Sequence, residues 1–150
     1  MPNRRVHVAT STPAGAVYAF HKTKYQNELT RLQELVGGAL GGYLGGILPD
    51  QIDPPAHPGH RSVGHGFCPV AVVAASWNHN LESWQSRLRQ LANEHDYHGF
   101  QSADPILKGW HAIMALALRL LSGFLAGIGA GYITHVALDS LTASCLPLVC

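Results

Sequence analysis

The chain has 150 residues, enough for one domain with a substantial core and too few for two. Nearly half of it (47%) is apolar, only 13% is charged and the net charge is +1, which argues against a surface built to coat nucleic acid. Three cysteines without a CxxC spacing indicate neither a zinc ribbon nor a disulfide scaffold, whereas ten histidines, as many as Lys plus Arg, ask for a role in metal binding or proton transfer.

In chain order, Met1 to Ala9 carries Arg4 and Arg5 with no apolar run behind them, so it does not read as a secretory signal. Ser11, Thr12 and Pro13 read as an N-cap followed by proline in the first turn of a helix. That helix is expected from Ala14 towards Leu35, with room for a break. Its second half sets Leu29, Leu32, Leu35 and Val36 on one face, away from Glu28, Arg31 and Glu34. From Val36 to Leu48 the helical period places Gly37, Gly38, Gly41, Gly42, Gly45 and Gly46 on one side, with Leu40, Tyr43, Leu44 and Ile47 on the other. Glycine lowers helix propensity, so such a helix must be held by close packing against a neighbour. A flexible linker is the alternative, but the interleaved large apolar residues argue against it.

Pro49 is expected to end that helix. The stretch from there to Gly66 is rich in Pro, Gly, His and Asp and reads as a loop. Pro69 suits a helix start, and Asn78 or Asn80 could cap a following amphipathic helix bearing Leu81, Trp84, Leu88 and Leu91. Trp77, Trp84 and Trp110 read as core or interfacial anchors, and His21 with Lys22 and Lys24 as a small basic patch. Glu94 to Pro105 reads as a polar connection carrying His95, His98 and Asp104. The last apolar segment, Trp110 to Leu141, repeats Gly123, Gly127 and Gly131 at the spacing that lets helix backbones approach. Within it, Leu120 to Ile133 is uncharged but is only about two-thirds of the roughly 20 residues of a full span. Extension upstream takes in Arg119, a residue disfavoured at bilayer depth. A core helix and a membrane helix both fit that pattern. The fold class expected is all-α: a compact, single-domain bundle over residues 1–150, with glycine-lined helices and a Pro/Gly/His-rich metal-binding loop.

Two clusters carry the chemistry. The first is Asp50 and Asp53, three apart, followed by His60, Arg61 and His65: four hard or borderline ligands within sixteen residues. Zinc and its neighbours bind this mixture of imidazole nitrogen and carboxylate oxygen. The second is His135 and Asp139, one helical turn apart, so both can reach one centre. Alone, that pair reads as a buried His–Asp hydrogen bond; beside the loop cluster it reads as the rest of a metal site. His95-Asp96 offers a competing phosphohydrolase dipeptide, for which a solvated helix end is the simpler account.

Leu48-Pro49-Asp50, His60-Arg61 followed by His65, and Gly131-Tyr132-Ile133-Thr134-His135 through Asp139-Ser140-Leu141-Thr142 resemble the YdjM-like family of membrane-bound metal-dependent hydrolases. The matching family stretches read approximately LPDIDHP, HRGxTHS and GYLSHxxxDxLT. The resemblance covers residues 48–66 and 131–147, and by position it extends to His7. It implies a helical, inner-membrane-associated protein, a cytoplasmic location being the alternative. The chain departs from the family in spacing Asp50 and Asp53 three apart rather than two, and in having Gly64 and Gly66 around His65. Histidines and aspartates with HxxxD on a helix also bear a remote likeness to zinc phospholipase C and P1 nuclease, an analogy only.

The site so defined is His7, Asp50, Asp53, His60, His65, His135 and Asp139, holding one or two divalent ions, zinc first and manganese or iron next. Such ions lower the pKa of bound water and polarise an electrophile. Asp53 is a ligand or the base that positions water. Arg61 stabilises an anionic transition state or pairs with an aspartate. A phosphoester hydrolase acting on a small-molecule or lipid substrate is the expected function. The alternative is a non-enzymatic, membrane-associated or self-assembling protein with a structural site, homo-oligomeric through its glycine-lined helices.

Overall fold

A computed structural model describes residues 4–52 and 67–141. It is all-α, with no strand among the described residues. Four long helices, α1 (Arg4–Lys22), α2 (Glu28–Gly45), α4 (Phe67–Gln101) and α5 (Pro105–Ser140), form a bundle, and the short α3 (Leu48–Ile52) follows α2.

Helix α1 runs antiparallel to α2. Ser11 meets Gly46, Gly15 meets Gly42 and Gly38, and Ala19 meets Gly38. Helix α2 runs parallel to α5: Gly37, Gly41 and Gly45 face Leu120, Phe124 and Ile128 in succession, while Gly123, Gly127 and Gly131 of α5 face Glu34, Gly38 and Gly42. A methyl group added at any of these six would run into backbone of the opposing helix. The absence of side chains therefore sets the helix separation, as the four-residue glycine spacing predicts. Helix α4 returns antiparallel along α5, with Trp77 against Gly129, Gln85 donating to the Ser122 carbonyl (3.1 Å), and Gly99 against His111.

Several boundaries differ from the sequence expectation. Ser11 does not cap a helix: α1 already runs from Arg4, Ser11 is fully buried, and Pro13 sits inside the helix on an exposed position. The break falls at Thr23–Asn27, where the Asn27 side chain accepts a hydrogen bond from the Thr30 N–H (2.8 Å) and starts α2. Leu29 to Gly45 is then one helix rather than two. Pro49 does not end it: α2 stops at Gly45, and Pro49 is the second residue of α3, where its missing N–H is harmless. Asn78 and Asn80 do not start a helix: both lie inside α4, which runs unbroken from Phe67 to Gln101. The polar connection shrinks to Ser102–Asp104, and Asp104 caps α5 by accepting from the Ile106 N–H (2.9 Å).

The distribution of residue sizes is inverted relative to a bundle in water. Where α1, α2 and α5 meet, most buried positions are glycine, alanine, serine or threonine, and Ile47, Leu81, Tyr132 and Val136 are the buried large apolar residues among those described. Leu29, Leu32, Val36, Leu40, Tyr43 and Leu44 instead form an outward stripe along α2. On α5, Ile106, Trp110, Ile113, Leu116, Leu121 and Ile133 also point outward. Glu34, which the amphipathic reading put away from the apolar face, is instead fully buried. It takes two hydrogen bonds from Arg89 (2.6 and 2.7 Å) and one from Ser122 Oγ (3.0 Å). Helix α5 is long and apolar enough to cross a membrane, and less than half of its most apolar stretch is buried in the bundle.

Candidate metal centre

The bundle brings three elements together at the end where α2 gives way to α3. Helix α1 contributes His7, α3 contributes Asp50, and the last turns of α5 contribute His135 and Asp139, four residues apart and so on one face. The glycines near this level make the meeting possible. Gly42 lets α1 and α5 approach its backbone from two sides, through Gly15 and Gly131, so residues at the helix ends converge.

His135 is wholly buried, and His7 and Asp139 nearly so (3% and 4% exposed). His135 Nδ1 lies 2.5 Å from the Gly46 carbonyl oxygen. A carbonyl only accepts, so Nδ1 carries the proton and donates, which turns Nε2 and its lone pair towards the carboxylates in the neutral ring. That nitrogen stands 3.5 Å from Asp139 Oδ2 and 3.5 Å from Asp50 Oδ1. His7 Nε2 stands 3.3 Å from Asp139 Oδ1, and the two imidazoles stack with centroids 3.8 Å apart.

The donor set suits a divalent ion. Ligand atoms of His7, His135 and Asp139 all lie within 4.8 Å of one another. Nitrogen and oxygen ligands at about 2.0–2.2 Å from a tetrahedral ion are separated by roughly 3.3–3.6 Å, the range of the observed N–O spacings. The Gly46 carbonyl fixes the tautomer and ring orientation of His135, the part usually taken by the outer partner of a metal-bound histidine. Asp50 approaches His135 from α3, a third of its side chain exposed, and forms the solvent side of the centre.

Four of the seven ligand candidates thus converge: His7, Asp50, His135 and Asp139. Asp53, His60, Arg61 and His65 lie outside the described residues. His7, supported in the sequence by position alone, is in the middle of the group. One contributor had no signal in the sequence, the Gly46 carbonyl. The Ser11 hydroxyl, one turn after His7, is fully buried and makes no hydrogen bond among the described residues.

The competing dipeptide, His95-Asp96, belongs elsewhere. Asp96 pairs with Arg119, and His95 Nδ1 lies 2.9 Å from His111 Nδ1. His111 precedes Asp139 by 28 residues on one helix, about 42 Å along its axis. His95 and Asp139 therefore cannot share an ion.

No family model matches this chain, and no curated protein or solved structure matches it either.

Proposed function

We propose that this chain is a membrane-embedded, divalent-metal-dependent hydrolase of phosphoesters. The observation that carries the reading is the convergence of His7, His135 and Asp139 from two helices, with His135 oriented by the Gly46 carbonyl so that Nε2 faces carboxylate oxygen. The motif resemblance to YdjM-like hydrolases supports it from the sequence side. His7, Asp50, His135 and Asp139 would hold the ion, zinc first, and by the motif resemblance His60 and His65 would join them. A divalent ion held there would lower the pKa of a bound water and polarise the ester. By the motif resemblance, Asp53 would act as a ligand or as the base that positions water, and Arg61 would offset the charge on a phosphoryl group.

The membrane assignment rests on the inverted bundle. Glycine and alanine inside with leucine, isoleucine and valine outside is the arrangement that lipid favours, since chains of hydrocarbon outside give no reason to bury large apolar residues and close backbone packing supplies the attraction. By its motif resemblance the membrane is the inner one. The outward stripe on α2 ends at Leu44 and that on α5 at Ile133, each within a few residues of the centre, at Gly46 and His135. On this reading the centre lies towards one end of the apolar zone, where an amphiphile would present its phosphate.

One observation favours a second reading. His7, His135 and Asp139 are all at most 4% exposed, and a site closed entirely by protein ligands is structural rather than catalytic. The test is metal analysis of protein purified without chelators, beside His135→Ala and Asp139→Ala variants, followed by a phosphodiester and lipid panel with added metals. Stoichiometric metal lost in both variants, together with turnover, supports the hydrolase. Metal without turnover supports the structural site, and wild type without metal refutes both. Carbonate extraction of membranes checks the location: release into the supernatant overturns the embedded reading.

A further inference from the structure

Of the histidines that centre does not use, three lie together at the other end of the bundle. We propose that His95, His98 and His111 form a second metal site for a borderline divalent ion such as zinc, nickel or copper. His95 and His98 are one helical turn apart on α4, and His111 faces them from α5. Gly99 makes the approach possible: a Cβ there would stand 3.2 Å from that of His111. The Nδ1 atoms of His95 and His111 are 2.9 Å apart, a spacing at which the two rings share one hydrogen. Two imidazole nitrogens on one tetrahedral ion, each at about 2.0–2.1 Å, stand roughly 3.3 Å apart, so the pair needs to open by only about 0.4 Å. The His98 ring centroid is 5.7 Å from that of His111, and His98 is exposed, so its ring can turn in as third ligand.

The neighbouring carboxylates are engaged: Asp96 holds Arg119, and Glu94 accepts from Gln90 (3.0 Å). The ligands are then all imidazole, which selects zinc, nickel or copper over magnesium, calcium or manganese. The fourth position faces solvent. His111 precedes His135 by 24 residues on α5, about 36 Å, so the two sites cannot be one. That separation exceeds the roughly 30 Å of a bilayer's hydrocarbon core. Binding at the second site does not depend on the membrane reading.

Calorimetric titration of the chelator-stripped, detergent-purified full chain with Zn²⁺, beside His111→Ala, His98→Ala and His135→Ala, tests it. We expect His111→Ala to take up one ion fewer than wild type, and His135→Ala to keep that ion. His98→Ala is expected to bind it at least about tenfold more weakly. Equal stoichiometry in wild type and His111→Ala overturns the site. Unchanged affinity in His98→Ala, a surface change that leaves the fold intact, overturns the three-ligand arrangement on its own. Loss of the first centre's ion alone, in His135→Ala, leaves this proposal standing and bears only on the other.

Discussion

The two halves of α5 are both largely apolar and are opposite in construction. From Ser122 onward the helix is driven into α1 and α2, and Gly123, Gly127 and Gly131 touch opposing backbone. Its first turns instead hold Ile106, Trp110 and Ile113 outward, all more than half exposed, and Gly109 has open space around it. There the helix is fastened to α4 by polar side chains: His111 to His95, and Arg119 to Asp96 and Asn93 (3.0 Å). Apolar content alone therefore does not say where a helix packs. Small residues make one half a close-packed core, and charged or imidazole pairs make the other half a hairpin. Buried polar groups occur in both halves, Arg119 in the N-terminal half and Ser122, His135 and Asp139 in the other, and each needs a bonding partner to offset its burial.

The largest effect should come at the join between the halves, where Glu34 of α2 meets Arg89 and Ser122. Glu34→Ala leaves Arg89 without its buried partner, and removing one member of such a pair costs about 3–5 kcal/mol. Unfolding of the purified protein by heat or denaturant measures it. Replacing both residues together, as Glu34→Leu with Arg89→Met, should recover much of the loss, because no lone charge is then buried. If the double variant is no better than the single one, specific geometry rather than charge burial holds the join. Next in size is Gly127→Ala. Its methyl group would meet the Gly38 carbonyl and stand 2.8 Å from the Gly42 nitrogen, both of them backbone that cannot swing aside. A loss of about 1–3 kcal/mol is expected. A neutral result would mean that the helices stand further apart than the glycine contacts require.

The same contrast explains what the sequence could disclose. The glycine faces were legible because their spacing is local and the consequence, backbone approach, follows from having no Cβ. His135 and Asp139 were legible for the same reason, being one turn apart. Glu34 was not, since the charge that justifies its burial stands 55 residues away on α4 and its own neighbours suggest a wet face. His7 was a lone histidine until α1 was laid against α5. Pro13 and Asn80 carry boundary signals that tertiary packing overrides: α1 and α4 are held along their length by neighbours, so a weak stop inside them does not end the helix.

Smaller effects should appear where the second half begins. Asp104 accepts from the Ile106 N–H, and Pro105 occupies the first turn, so this end of α5 is set by a cap and not by packing. Asp104→Ala should cost about 1 kcal/mol. Hydrogen exchange is the sharper probe here: amides of the first turn of α5 should exchange faster while those beyond Ser122 are unchanged. Faster exchange in both halves would mean that the helix opens as one unit, and the division drawn above would fail.

The smallest effect has the opposite sign. Gly109 lies inside α5, yet an added methyl group would meet nothing within 4 Å. Here glycine contributes no close approach and only its helix-weakening entropy. Gly109→Ala should therefore stabilise the protein by about 0.5–1 kcal/mol, while the same change at Gly127 destabilises it. Thermal unfolding of the two variants side by side gives the comparison directly. Stabilisation at both positions would show that the first contact shell of Gly127 is slack. A loss at both would show that the outward face of the α5 N-terminal half is itself covered, by a neighbour that fits against Gly109. Opposite signs are what a helix close-packed along one half and open along the other requires.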